Sequence, residues 1–221
     1  MEISYISQNR KKNFFNFSLN LQILIFNVLF FVIFGILIWA KIIPIDFIAL
    51  NPSYIFEGKY LWTFLTSIFM HAGIFHLIAN MLSLIFVGSL IEKLLGKKRY
   101  FYFYLISGIF AGLLFVLSAL IFKSDLNTYA VGASGALFGL IGLLIFLTPN
   151  LPVYLFFIPL PIKMKYAAPA MLILLWLISI LGNLPVGNFA HLGGLIIGLV
   201  YGFYLKRKYP NKIKYLSKLY S

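Results

Sequence analysis

The chain has no cysteine among its 221 residues. Disulfides, thiolate metal sites and thiol nucleophiles are therefore excluded. Charge is nearly as scarce: 10% of the residues are charged, against about 25% in soluble domains. Acids are the rarest, with only Glu2, Asp46, Glu57, Glu92 and Asp125. There is no internal repeat and no low-complexity tract. What is present is apolar surface, since 62% of the residues are hydrophobic. A water-soluble core cannot hide that much, so the class is an all-α polytopic membrane protein.

Six apolar spans stand out, most of them near the roughly 20 residues that a bilayer requires. They are Leu19–Ala40, Phe75–Leu90, Phe101–Phe122, Ser134–Leu147, Ala167–Gly182 and Phe189–Leu205, the second and fourth being short. The layout is a short cytoplasmic segment 1–18, a six-span core 19–205 and a basic cytoplasmic tail 206–221, expected to be a solvated cap. Met1–Phe17 is not expected to be a cleavable signal, because no small-residue cleavage site follows the first span. Leu151–Pro161 is apolar, but Pro152, Pro159 and Pro161 interrupt it, so it is expected to be interfacial rather than spanning. The connection 42–70 holds Tyr54, Phe56, Tyr60 and Trp62 with few charges, which suits the membrane interface.

Of the 18 basic residues, all but Lys41, Lys59 and Lys123 fall on one side of these spans. They cluster at Arg10–Lys12, Lys93–Arg99, Lys163–Lys165 and Lys206–Lys218. The positive-inside rule therefore puts both termini in the cytoplasm. The net charge of +13 is thus a topogenic signal with a lipid bilayer as partner. No recognition motif accompanies it, so nucleic acid is not an expected partner.

Ionisable groups inside a membrane are costly, so their positions inform. His71 and His76 open the second span, His191 opens the sixth, and Ser134 opens the fourth within VGASGALFG. Spans two, four and six run in the same direction, so these residues and Asn80 share one level in the outer half. A serine between glycines is ordinarily a packing residue; scattered packing residues have no reason to share a level. Gly194, Gly198 and Gly202 form a ridge on span six, and Gly135, Gly139 and Gly142 a stripe on span four. If the two face each other, Ser134 and His191 become neighbours. A serine hydroxyl needs a base to become a nucleophile, and histidine has a suitable pKa. None of the five acids sits beside His191 in the sequence, so the arrangement is a Ser–His dyad. Phe138, four residues after Ser134, shares its helical face and is placed to stack on His191. The free amides at the Ser134 helix start, with His76 and Asn80 one turn apart, are candidate oxyanion donors. His71 lies about 140° round the helix from His76 and belongs to the loop end.

With these residues in view, the sequence resembles the rhomboid intramembrane serine proteases over about residues 19–205. The resemblance rests on Gly132-Ala133-Ser134-Gly135 continuing Ala136-Leu137-Phe138-Gly139, on His71, His76 and Asn80, and on Ala190, His191, Gly194 and Gly198. It implies a six-transmembrane-helix rhomboid-like bundle, with Ser134 as nucleophile and His191 as general base. It implies an oxyanion hole of His76, Asn80 and the Ser134 backbone, with His71, Gly132, Gly135, Phe138, Gly194 and Gly198 in support. It implies that span four starts below the surface in a water-filled cavity. Gly182–Asn188 would cap that cavity, and span five with Trp176 would be the gate. Gly88, Glu92 and Gly96 resemble the family's turn after span two. Where the family usually has Trp-Arg, this chain has Trp62-Thr63, a departure that bears on loop anchoring and not on the site.

The expected function is a serine-type endopeptidase with no cofactor and no metal, cutting transmembrane protein substrates near their outer ends. A prokaryotic cell membrane is the expected location, with the site opening outward. The rival is a catalytically silent adaptor or chaperone of the same fold that binds transmembrane helices. A transporter is disfavoured, because the polar set stops in the outer half of the bundle.

Overall fold

The structure is a computed structural model that describes residues 18–154, 160–182 and 187–220. The N-terminal segment with Arg10, Lys11 and Lys12, the middle of Leu151–Pro161 and the middle of the expected cap Gly182–Asn188 lie outside the described residues.

Helix α1 (Leu19–Trp39) starts at Ser18, whose hydroxyl accepts from the Leu21 N–H at 3.1 Å. Its first two amides are taken by a distant acid: Glu92 accepts from Leu19 at 2.8 Å and from Asn20 at 2.9 Å. A carboxylate at a helix N-terminus satisfies orphan donors and complements the dipole. The long connection that follows is structured. A 3-10 turn at Ile45–Phe47 leads to α2 (Pro52–Phe56) and α3 (Thr63–Thr66). Trp62 Nε1 donates to the Phe47 carbonyl at 2.9 Å. Thr63, buried where a family arginine is usual, donates its hydroxyl to the Tyr60 carbonyl at 2.7 Å. Leu50 and Ala130 exchange both backbone bonds, at 3.1 and 2.8 Å, which ties the connection to the strand of chain entering the fourth span.

Span two is continuous over Ile74–Leu95: α4 (Ile74–Ser83), a π-helical turn at Leu84–Gly88, and α5 (Ser89–Leu95). The Asn20 side-chain amide reaches into the wide turn and donates to the Leu84 carbonyl at 2.8 Å. Tyr100 in turn donates its hydroxyl to Asn20 Oδ1 at 2.5 Å. Gly96, at φ +82°, turns the chain into α6 (Lys97–Ile121). Helix α7 (Ser134–Leu147) is next, then a two-residue antiparallel pair of β1 (Pro152–Val153) with β2 (Ile162–Lys163). Helices α8 (Met164–Gly182), α9 (Asn188–Lys208) and α10 (Pro210–Leu219) complete the chain.

Among the described residues, five helices are long and apolar enough to cross a membrane: α1, Ile74–Leu95, α6, α8 and α9. Helix α7 is the shorter one, at 14 residues. It is buried on nearly every side by α6, α8 and α9 and is apolar all round, as a central helix must be. At 1.5 Å per residue it spans about 21 Å, short of a hydrocarbon core of about 30 Å.

Several sequence expectations need correction. Helices α6 and α9 run past their apolar stretches through Lys97–Arg99 and Lys206–Lys208, since lysine and arginine are good helix formers. The tail is not a solvated cap. Tyr209 breaks α9, Pro210 opens α10 at a position where its missing N–H costs nothing, and Ile213 is buried in the main core. The expected interfacial stretch 151–161 holds β1, and β2 follows directly.

Candidate active site

Ser134 is the first residue of α7, and its position is set by the two residues before it. Gly132 has φ +126°, a conformation that side-chain-bearing residues rarely adopt, and its N–H donates to the Ser67 carbonyl at 2.8 Å. A β-carbon there would meet His76 Cε1 at 2.7 Å and Nε2 at 3.0 Å. The missing side chain therefore lets the His76 ring lie over the backbone beside Ser134. The turn also leaves the first amides of α7 without intrahelical acceptors, at the positive end of its dipole.

His191 sits in the first turn of α9, its N–H bonded to the Gly187 carbonyl at 3.1 Å. Helices α7 and α9 pack against each other through glycine. Side chains at Gly194 and Gly198 would drive into the carbonyl oxygens of Gly135 and Gly139, and one at Gly142 would meet the Leu195 carbonyl at 2.5 Å. This close seam brings His191 Nε2 to 2.7 Å from Ser134 Oγ. The Phe138 ring is stacked on the imidazole, with centroids 4.8 Å apart and planes at 26°. His191 Nδ1 is buried with no hydrogen-bond partner among the described residues. The pair therefore stands without a carboxylate as third partner among those residues. With Nε2 accepting from the serine, the neutral ring carries its proton on Nδ1.

The Ala72 N–H points to His76 Nδ1 at 3.4 Å. That leaves His76 Nε2 as the N–H donor of the neutral ring. The donor lies on the Ser134 side, where the absent Gly132 side chain would stand 3.0 Å from Nε2 and 3.7 Å from Ser134 Oγ. The Asn80 amide is engaged within its own helix. Its Nδ2 donates to the His76 carbonyl at 2.8 Å, one turn back along the same helix, and its buried Oδ1 has no hydrogen-bond partner among the described residues. His71 precedes α4, packs edge-on to His76 at 5.2 Å and to Phe31 at 6.3 Å, and is buried. Burial, reinforced by His76, holds its pKa down at about 4, so it is neutral at physiological pH.

Three neighbours of the site have no signal in the sequence. Ser67 holds Gly132 across 65 residues of chain. Ser107 occupies the space beside Gly139. Phe189 stacks on Phe122 at 5.0 Å and tilts against Trp176 at 5.9 Å, which places the fifth span beside the approach to His191. Of α8, only Met164, Ala167 and Ala168 are fully buried, all in its first two turns, and its Trp176 half is half-buried or exposed.

These elements define an integral helical membrane protein with a serine and a histidine hydrogen-bonded at the head of its most buried helix. Comparison with known proteins agrees with that class. The family model described as Rhomboid domain matches residues 58–208, and the chain belongs to the rhomboid family. It is 42% identical over 158 residues to RHOMBOID-like protein 1 of Arabidopsis thaliana, covering 70% of this chain and 37% of the relative. It is 39% identical over 162 residues to RHOMBOID-like protein 6, mitochondrial, of the same plant, covering 71% of this chain and 48% of the relative. Inactive RHOMBOID-like protein 8, also from Arabidopsis, is 37% identical over 143 residues, covering 63% of this chain and 37% of the relative. The chain thus spans less than half the length of these relatives. The family includes members named inactive, so activity must be argued from the residues.

Proposed function

We propose that this protein is an intramembrane serine endopeptidase that hydrolyses peptide bonds in or near the transmembrane segments of other proteins. The observation that carries the reading is the 2.7 Å contact between His191 Nε2 and Ser134 Oγ at a helix start with free amides. Ser134 Oγ attacks the scissile carbonyl carbon, and its proton passes to His191 Nε2. The oxyanion is met by the first-turn amides of α7 and by His76 Nε2–H. His191 then returns the proton to the leaving amine, leaving an acyl-enzyme on Ser134. A water, deprotonated by His191, attacks that ester and frees the second product. Phe138 fixes the imidazole plane, which falls to no carboxylate here. Asn80 braces the His76 turn, and His71 backs the His76 ring. No step calls for a metal or cofactor.

The substrates in this reading are transmembrane proteins presented laterally, past the Trp176 half of α8, where no residue is fully buried. A helix must unwind there to offer its carbonyl, so substrates carry helix-weakening residues near the cut. The site opens at the end of the bundle opposite the basic clusters, which is the non-cytoplasmic face under the positive-inside rule. Both termini then face the cytoplasm and α7 serves as a sixth, recessed span. The relatives are plant and mitochondrial proteins, so a prokaryotic membrane is not part of the proposal.

The test is labelling of the purified protein by a fluorophosphonate probe, with cleavage of a model transmembrane substrate in vesicles. Wild type is expected to label at Ser134 and to cleave, and Ser134→Ala and His191→Ala to do neither. Substrate binding without labelling would instead favour the silent adaptor. Undiminished cleavage by Ser134→Ala would overturn the mechanism.

A further inference from the structure

At the end of the bundle away from Ser134, the α5–α6 turn, the foot of α7 and the elbow between α9 and α10 converge. Between them is a notch of about 30 Å³ lined by Leu94, Leu95, Arg99, Leu205, Lys212 and Leu216. Arg99 and Lys212 are exposed at its rim. Around them Lys206 lies over the Phe146 ring at 5.7 Å and Arg207 over Phe203 at 4.5 Å. Lys208 lies over Tyr204 at 5.3 Å and donates to its hydroxyl at 2.8 Å.

No carboxylate among the described residues answers this charge. Both Glu92 oxygens are held by the amides of α1. Asp46 accepts from Tyr129, Glu57 pairs with Lys59, and Asp125 belongs to the turn leading toward Ser134. Like charges gathered without a counterion repel, and an anion from outside the chain relieves them.

Helix α10 says which anion. Ile213 is buried and Leu216 partly so, and both face the bundle. Tyr215 and Leu219, four residues apart, share an adjacent edge and are 65% and 59% exposed. Lys214 and Lys218 lie on a third edge. A helix with one apolar edge bare beside a basic edge is built to lie in a membrane interface. The tyrosines and lysines at this end of the apolar helices are interface residues too. A free phosphate would neutralise the rim and leave Tyr215 and Leu219 in water.

We propose that this end of the molecule binds an anionic phospholipid, its headgroup held by Arg99 and Lys212 at the notch and its acyl chains beside Tyr215 and Leu219 of α10. The site is independent of the proposed chemistry at Ser134 and is tested without it. Native mass spectrometry of the full chain in neutral detergent would be titrated with phosphatidylglycerol and with phosphatidylcholine of the same chains. Phosphatidylglycerol is expected to bind at least about fivefold more tightly, as one or more basic side chains at a headgroup imply. Arg99→Gln/Lys212→Gln, and Lys212→Gln alone, should lose most of that preference. Lys123→Gln, at the other end of the bundle, should keep it. Equal affinity for the two lipids would overturn the proposal, as would an unchanged preference in Lys212→Gln. An adduct formed equally well by inorganic phosphate would overturn the lipid assignment, and loss of the preference in Lys123→Gln would reduce it to bulk charge.

Discussion

Gly194→Ala separates a glycine that packs from a glycine that aligns the reacting groups. Gly194 lies one turn past His191, on the face of α9 that meets α7. A β-carbon there would be closer than 3.0 Å to the Gly135 carbonyl oxygen, 3.0 Å from Gly135 C and 3.1 Å from Gly139 N. All three are backbone atoms and have no rotamer to retreat into, so the helices must part. The scale is read one turn further on, where a β-carbon at Gly142 falls 0.9 Å short of the 3.4 Å of ordinary contact with the Leu195 carbonyl. Parting by that much stretches the 2.7 Å Ser134–His191 contact to about 3.6 Å, which is no longer a hydrogen bond. The expected loss is about 100-fold or more in fluorophosphonate labelling rate, since general-base assistance of that order disappears. Stability should fall by about 3 kcal/mol, the upper end for overpacking, because the obstruction is backbone. Labelling kinetics and thermal denaturation in micelles read the two effects. Gly202→Ala is the graded control: its β-carbon meets Phe146 at Cδ2, Cβ and Cγ, at 2.8, 3.0 and 3.1 Å, a milder overlap than that at Gly194 and farther along α9 from His191, so both effects should be smaller. Gly35→Ala, in mid-helix with nothing within 4 Å, should leave labelling unchanged and raise stability by up to about 1 kcal/mol. A Gly194→Ala protein that labels at the wild-type rate would refute the reasoning.

Three further outcomes follow from the same contacts. Phe138→Leu removes the ring stacked on His191 and should slow labelling about fivefold, the kinetic equivalent of a stacking contact of about 1 kcal/mol, with a loss of stability of about 1 kcal/mol because the ring is buried in the core. Gly132→Ala forces a side chain into φ +126° against the His76 ring; it should cost about 1–3 kcal/mol of stability and depress labelling together with it. Glu92→Ala leaves the Leu19 and Asn20 amides without their acceptor. It should lower stability by about 2–3 kcal/mol, while labelling measured well below the melting transition stays near wild type, because Glu92 sits at the other end of the bundle from Ser134.

The apolar runs announced the bundle because a bilayer demands length and hydropathy and little else. Helix α7 has the same bounds in sequence and structure, Ser134 to Leu147, because a glycine turn and a run of apolar residues mark its start plainly. Ser134 and His191 were readable because ionisable groups are rare in such a chain and these two share a level. The ties between distant segments were not readable. Nothing near Glu92 says that it caps a helix more than 70 residues earlier, and nothing near Leu50 says that it pairs with Ala130. Such bonds are set by which segments become neighbours, a property of the assembled bundle. Helix α10 was missed for a different reason: ten residues with three lysines look solvated, yet Ile213 and Leu216 at helical spacing suffice to dock it.

Asn80 shows where pattern and geometry part. One turn from His76 on the same helix face, it reads as a second donor to the oxyanion. In the structure its Nδ2 is bonded to the His76 carbonyl, a bond that any helical asparagine can make to the residue four back. Spacing fixes the face of a helix and leaves the rotamer open. His76 differs because its ring is confined from two sides, by the Ala72 N–H at Nδ1 and by the bare α-carbon of Gly132 beneath it. A donor held in that way needs no reorganisation when charge develops beside it, which is the condition for electrostatic stabilisation of an oxyanion. His76→Ala should therefore slow labelling by about 100-fold or more, the usual loss on removing one preorganised donor. Asn80→Ala, which removes a brace one turn away, should cost about tenfold less than that. Equal losses in the two variants would show that Asn80 leaves the His76 carbonyl and turns to the oxyanion when substrate binds.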